Sequence, residues 1–122
     1  MTHRILIVDD EPNIVLSLEF VLQRSGFETA VARDGDEALA EVERFRPDLV
    51  LLDVMMPRRD GYEVCQTLRA AGWHDLKIVM LTAKGRDTEV AKGLAVGADA
   101  YVTKPFSTRE LVDRVRALLE EG

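Results

Sequence analysis

Five short apolar runs alternate along the chain with segments whose apolar residues recur at helical spacing. The runs are Arg4–Val8, Glu28–Ala32, Leu49–Asp53, Lys77–Thr82 and Ala100–Thr103. Strands separated by helices predict a parallel sheet covered on both faces. The unbroken apolar stretches Leu49–Leu52 and Ile78–Leu81 fit strands buried on both sides. Between the runs, Ile14, Leu18, Val21 and Leu22 share one helical face, as do Leu111, Val115, Leu118 and Leu119 near the end. Pro12 suits a first helical turn and Gly26 a helix stop. Asp34-Gly35 and Arg46-Pro47 read as turns, and Ser107 or Thr108 as the cap of the last helix, with Glu110 early in it. The fourth helical segment, Asp87–Val96, is the weakest. It contains Gly93 and mostly small apolar residues, so it is expected to have low stability and to be able to move.

The 122 residues fit one domain, residues 1–122, with a core of its own. A formal net charge of −6 argues against nucleic acid as a direct partner, because phosphate binding draws on Lys and Arg. It leaves open control of a DNA-binding partner. The single cysteine, Cys65, allows no disulfide framework and no cysteine-based metal site; it reads as a small buried hydrophobe. His3 and His74 read as surface residues. No apolar run approaches the roughly 20 residues needed to span a membrane, and no signal peptide is evident, so a cytoplasmic protein is expected.

The chemistry collects where the runs end. Asp9, Asp10 and Glu11 follow the first run, Asp53 closes the third, Thr82 and Ala83 the fourth, and Lys104 and Pro105 the fifth. Open parallel sheets bind ligands at the carboxyl ends of their strands. Two carboxylates about 4 Å apart repel by roughly 4 kcal/mol at an effective dielectric near 20. Such a cluster needs a cation, a proton or both. A hard cation such as Mg²⁺ takes a few carboxylate oxygens and keeps its waters. A carboxylate can attack phosphorus, and the Thr82 hydroxyl, the Ala83 N–H and Lys104 can bind phosphoryl oxygens. Glu11 reads instead as a first-turn residue that complements the helix dipole.

With these residues in place, the chain resembles the response-regulator receiver domains of two-component signalling, over essentially its whole length. The matching stretches are Ile5–Glu11, Asp53–Gly61, Leu81-Thr82-Ala83 and Gly97–Phe106. The resemblance implies a flavodoxin-like (βα)5 fold, an α/β doubly wound sandwich with strand order 2-1-3-4-5. It implies Asp53 as phosphoacceptor, and Mg²⁺ held by Asp9, Asp10, Asp53 and the Met55 carbonyl. It implies Thr82, Ala83 and Lys104 around the phosphoryl group, Thr82 and Tyr101 as the switch, and a cis Lys104–Pro105 peptide. The implied partners are a sensor histidine kinase or a histidine phosphotransfer protein, and a downstream effector reached through the fourth helix, fifth strand and last helix. Such a protein assists its own phosphotransfer and dephosphorylation without being a turnover enzyme. Relatives with DNA-binding outputs dimerise through that same surface using salt bridges. Asp99, Arg114 and Arg116 keep part of that pattern, whereas Ala100 departs from it. Met55 and Lys84 fall where relatives tune phosphoryl lifetime. Arg58-Arg59 forms a basic loop beside the acidic pocket, either a solvated turn or an influence on phosphodonor approach. Trp73, which precedes the fourth strand, is expected at the opposite end of the sheet.

Two other functions fit the same residues. One is a Mg²⁺-dependent phosphohydrolase with an aspartyl nucleophile, for which the short chain offers no cap insertion. The other is a binding module of the same fold that no longer uses phosphate, against which the complete set of pocket residues speaks.

Overall fold

Side chains on a strand point alternately to its two faces, and that alternation builds two cores on one sheet. In the computed structural model, which describes residues 2–56, 58–83, 91–92 and 94–121, the strands are β1 (Arg4–Val8), β2 (Glu28–Ala32), β3 (Leu49–Asp53), β4 (Lys77–Ala83) and β5 (Ala100–Lys104). The helices are α1 (Pro12–Arg24), α2 (Gly35–Phe45), α3 (Gly61–Ala70) and α4 (Thr108–Glu121). Half of the segment expected as a further helix, Asp87–Val96, lies outside the described residues, as does Lys84. The five strands are parallel, in the order β2-β1-β3-β4-β5. Leu6, Val8, Val50, Leu52, Ile78 and Met80 face α2 and α3, where Val42, Val64 and Leu68 cover them. Ile5, Ile7, Leu49, Leu51, Val79 and Leu81 face α1 and α4, where Leu18, Leu22, Leu111 and Val115 cover them. The fold is therefore the flavodoxin-like, doubly wound α/β sandwich. None of the described helices is long and apolar enough to cross a membrane.

The helix ends follow local chemistry. Pro12 occupies the first turn of α1, and Gly26, at φ +94°, follows its Ser25 cap. Asp34 and Asp60 accept hydrogen bonds from the Glu37 and Glu63 amides at 2.8 and 2.9 Å, capping α2 and α3. Asp34-Gly35 is thus a helix start and not the expected turn: Asp34 is the cap and Gly35 the first helical residue. Ser107, of the two candidates, caps α4, its Oγ accepting from the Glu110 N–H at 3.4 Å.

The chain winds from β1 outward to β2, then crosses to β3 on the other side of β1. That reversal opens a crevice at the carboxyl ends of β1 and β3. The opposite rim is closed by arginines. Arg69 donates to the Trp73 and Leu76 carbonyls at 2.6 Å each, to the Gly97 carbonyl at 3.0 Å and to Asp99 Oδ2 at 2.9 Å. Trp73 lies at this rim, as expected, with Arg46 over its ring.

Candidate functional site

The crevice is lined by the residues that finish β1 and β3. Asp9 is fully buried, Asp53 is 5% exposed and Asp10 is exposed. Each offers a carboxylate oxygen, and these oxygens lie within 4.8 Å of one another. Lys104 reaches across from β5, because the β4–β5 register sets it beside Ala83. Its Nζ stands 3.1 Å from Asp9 Oδ2, 3.5 Å from Asp53 Oδ1 and 3.5 Å from Glu11 Oε1. Backbone N–H groups orient two of the carboxylates: Glu11 N donates to Asp9 Oδ1 at 2.9 Å, and Met55 N to Asp53 Oδ1 at 3.2 Å.

Among the described residues, one cation among four carboxylates leaves the site short of positive charge. Burial, reinforced by the charge of Asp9 and more weakly of Asp10, pushes the Asp53 carboxyl up to about 6, against the opposing pull of Lys104 and the Met55 amide. Burial alone would lower the Lys104 ammonium. Asp53, Asp9 and Glu11 outweigh it and raise the group above its ordinary value. The Thr82 hydroxyl, at the end of β4, is buried without a hydrogen-bond partner among the described residues, and Asp9 Oδ2 has only the Lys104 ion pair. A buried hydroxyl left without a partner costs about 1–3 kcal/mol, so a polar ligand that supplied one would relieve it. Three acid groups around a crevice, with an unused hydroxyl and a lysine, form a donor set suited to a hard divalent cation and an oxyanion.

The sequence-expected residues converge here, Tyr101 excepted. Tyr101 lies on the edge strand β5, 39% exposed, pairing in register with Met80. The Met55 side chain is exposed, and its N–H donates to Asp53 Oδ1. The Lys104–Pro105 peptide is cis.

Glu11 corrects the sequence reading. It is the extended N-cap residue of α1, outside the first turn, and its carboxylate turns to Lys104. The signal was present: a proline at the next position holds the preceding residue extended. Arg58 and Arg59 meet carboxylates of α2 and α3, Arg58 pairing with Asp34 and Arg59 with Asp36 and Glu63. Asp99 is held by Arg69 and also accepts the Ile78 N–H at 2.8 Å, and Arg116 donates to the Ser25 carbonyl. Two of the three charges read as dimer contacts therefore have partners inside the chain. Cys65 is buried, its thiol pushed up to about 11, chiefly by burial. His3 and His74 are exposed.

Sequence signals that missed the close approaches are glycines. A Cβ on Gly61 would stand 2.5 Å from the Asp53 carbonyl oxygen, so only glycine lets α3 start against the end of β3.

Comparison with known proteins agrees with this geometry. Residues 5–116 match the family described as the response regulator receiver domain. The whole chain is 53% identical to part of the DNA-binding response regulator MtrA of Mycolicibacterium smegmatis. It is 50% identical to part of the alkaline phosphatase synthesis transcriptional regulatory protein PhoP of Bacillus subtilis. The chain spans about half the length of these relatives, 53% and 50% respectively. Among solved structures, the receiver domain of the Francisella response regulator 1452 aligns with a TM-score of 0.92 at 32% identity, covering 98% of each chain. The protein belongs to the response-regulator receiver domain family of two-component signalling.

Proposed function

We propose that this receiver takes a phosphoryl group on Asp53 from a sensor histidine kinase or histidine phosphotransfer protein, and that the modification switches a downstream output. The observation that carries this reading is the convergence of Asp9, Asp10 and Asp53 within 4.8 Å, beside one lysine and an unpartnered buried threonine hydroxyl.

An Asp53 oxygen, in its ionised form, attacks phosphorus. The new O–P bond forms as the bond from phosphorus to the donor's imidazole nitrogen breaks, and the donor leaves with that electron pair. Asp9, Asp10, Asp53 and the Met55 carbonyl would hold Mg²⁺, whose charge, when bound, stabilises the moving phosphoryl oxygens. Lys104, the Thr82 hydroxyl and the Ala83 N–H receive those oxygens. The Met55 N–H holds Asp53 in position for attack. Phosphate adds roughly 1.5–2 negative charges at neutral pH. In this reading the Thr82 hydroxyl turns toward it and Tyr101 moves inward from the edge strand, changing the surface around β5 and α4. The protein assists gain and loss of its own phosphate, is not a turnover enzyme, and works in the cytoplasm. In a full-length protein like the DNA-binding relatives, the effector would be an attached DNA-binding domain, and the receiver itself would touch no nucleic acid.

Intact mass after incubation with acetyl phosphate and Mg²⁺ tests the assignment. The wild-type chain is expected to gain one phosphoryl group with release of acetate, and Asp53→Asn none. A gain in both proteins, or in neither, would refute Asp53 as the acceptor.

A further inference from the structure

The basic pair Arg58-Arg59 has no part in the chemistry assigned to the crevice, yet it belongs to the loop that leaves Asp53. The near end of that loop is fixed to the strand. The Gly61 N–H donates to the Val54 carbonyl at 2.9 Å, and Gly61 packs against the Asp53 carbonyl with no room for a Cβ. Between these points the loop presents the Met55 N–H to Asp53 Oδ1 at 3.2 Å.

The far side of the loop rests on the first turn of α2, an element that contributes nothing to the crevice. Gly35 is bare at the contact. A Cβ there would collide with the Arg59 Cβ and come within 2.7 Å of the Arg59 carbonyl oxygen. Around this seat, Arg59 Nε bonds Asp36 Oδ1 at 2.7 Å, and its guanidinium lies 3.6 Å from Glu63. Arg58, left-handed at φ 69°, sets its Nε 3.4 Å from Asp34 Oδ2, while the other Asp34 oxygen caps α2.

We propose that Arg59, seated on the first turn of α2, is a positioning residue for phosphoryl transfer at Asp53, acting through the loop that carries the Met55 amide. The proposal rests on Asp53 being the acceptor. The Met55 bond is at the long end of the N–H···O range, so a small outward shift of the loop loses it and frees the Asp53 carboxylate to rotate. Misplacement of a reacting group by about 1 Å can cost as much as a hundredfold in rate. Exposed ion pairs, in contrast, add little to global stability. A slower reaction in a chain that melts like wild type is therefore the signature of this role. Loss of a purely structural contact would lower the melting temperature and leave the rate per folded molecule unchanged.

The test uses the full chain, Arg59→Ala, and the charge-exchanged pair Asp36→Arg with Arg59→Asp. Acetyl phosphate labelling is followed by intact mass at saturating Mg²⁺, with the melting temperature and the ¹⁵N–¹H resonance of Met55. Arg59→Ala is expected to slow labelling about tenfold, to move the Met55 resonance, and to melt close to wild type. The exchanged pair is expected to regain most of the rate. A labelled wild type matched in rate by Arg59→Ala, or an unmoved Met55 resonance, overturns the role of Arg59. So does a slowed rate that the exchanged pair fails to restore. A wild-type chain that takes no phosphoryl group overturns the assignment of Asp53, and this proposal with it.

Discussion

The two rims of the sheet treat buried polarity in opposite ways. At the amino rim, one arginine serves four carbonyls and a carboxylate, and Arg4 adds bonds to the Phe45 carbonyl and Asp48. At the carboxyl rim, one lysine faces Asp9, Asp53 and Glu11, while the Thr82 hydroxyl has no partner among the described residues. Among the described residues, the first rim pairs its arginines with carbonyls and carboxylates. The second is incomplete, and its missing partners are those a cation and a phosphoryl group would bring. On the proposed function, stability and chemistry fall at opposite ends of the same five strands.

Removing the amino-rim hub is the most forceful way to break that division. Arg69→Ala removes the arginine from the Trp73, Leu76 and Gly97 carbonyls and leaves Asp99 with the Ile78 N–H. Urea unfolding is expected to show a loss of about 2–4 kcal/mol, with the acetyl phosphate labelling rate of the folded fraction unchanged. A slowed rate would mean that the rims are coupled.

Acidity gives the next effect. The folded Asp53 binds its proton more tightly than the unfolded chain does, with its carboxyl raised from 3.8 to about 6. Its contribution to stability is therefore fully present below about pH 4 and is lost as pH rises through about 6. In EDTA, the stability of wild type relative to Asp53→Asn should fall over that window by no more than about 3 kcal/mol. Parallel pH profiles for the two proteins would show that the site is not short of positive charge.

The smallest stability effect has the opposite sign. Thr82→Val deletes an unpartnered hydroxyl, so the metal-free protein should be unchanged or more stable by up to about 1 kcal/mol, while labelling by acetyl phosphate slows. A clear loss of stability would mean that the hydroxyl already has a structural role.

What could be read in the sequence follows from how local each signal is. The strands were evident because burial on both faces leaves unbroken apolar runs such as Leu49–Leu52. Asp9, Asp53, Thr82 and Lys104 stood out because polar residues ending such runs must share a rim. β4 and β5 each run one residue further than expected, to Ala83 and Lys104, since those two residues pair with each other. No single-sequence pattern announces such a pairing. Asp34-Gly35 misled because turns and helix starts favour the same residue types. The seating of Arg59 on Gly35 and the hold of Arg69 on Asp99 join distant parts of the chain. Neither leaves a periodic trace.

Lys104 enters the sheet last, on an edge strand, almost a whole chain after Asp9. During synthesis and folding, the three aspartates can meet as soon as β1 and β3 pair, but they meet without their lysine. The nascent site is then a patch of carboxylates that repel one another without their counter-charge. On the proposed function, competence to accept phosphate follows the docking of β5 against β4, which brings Lys104 to within 3.5 Å of Asp53.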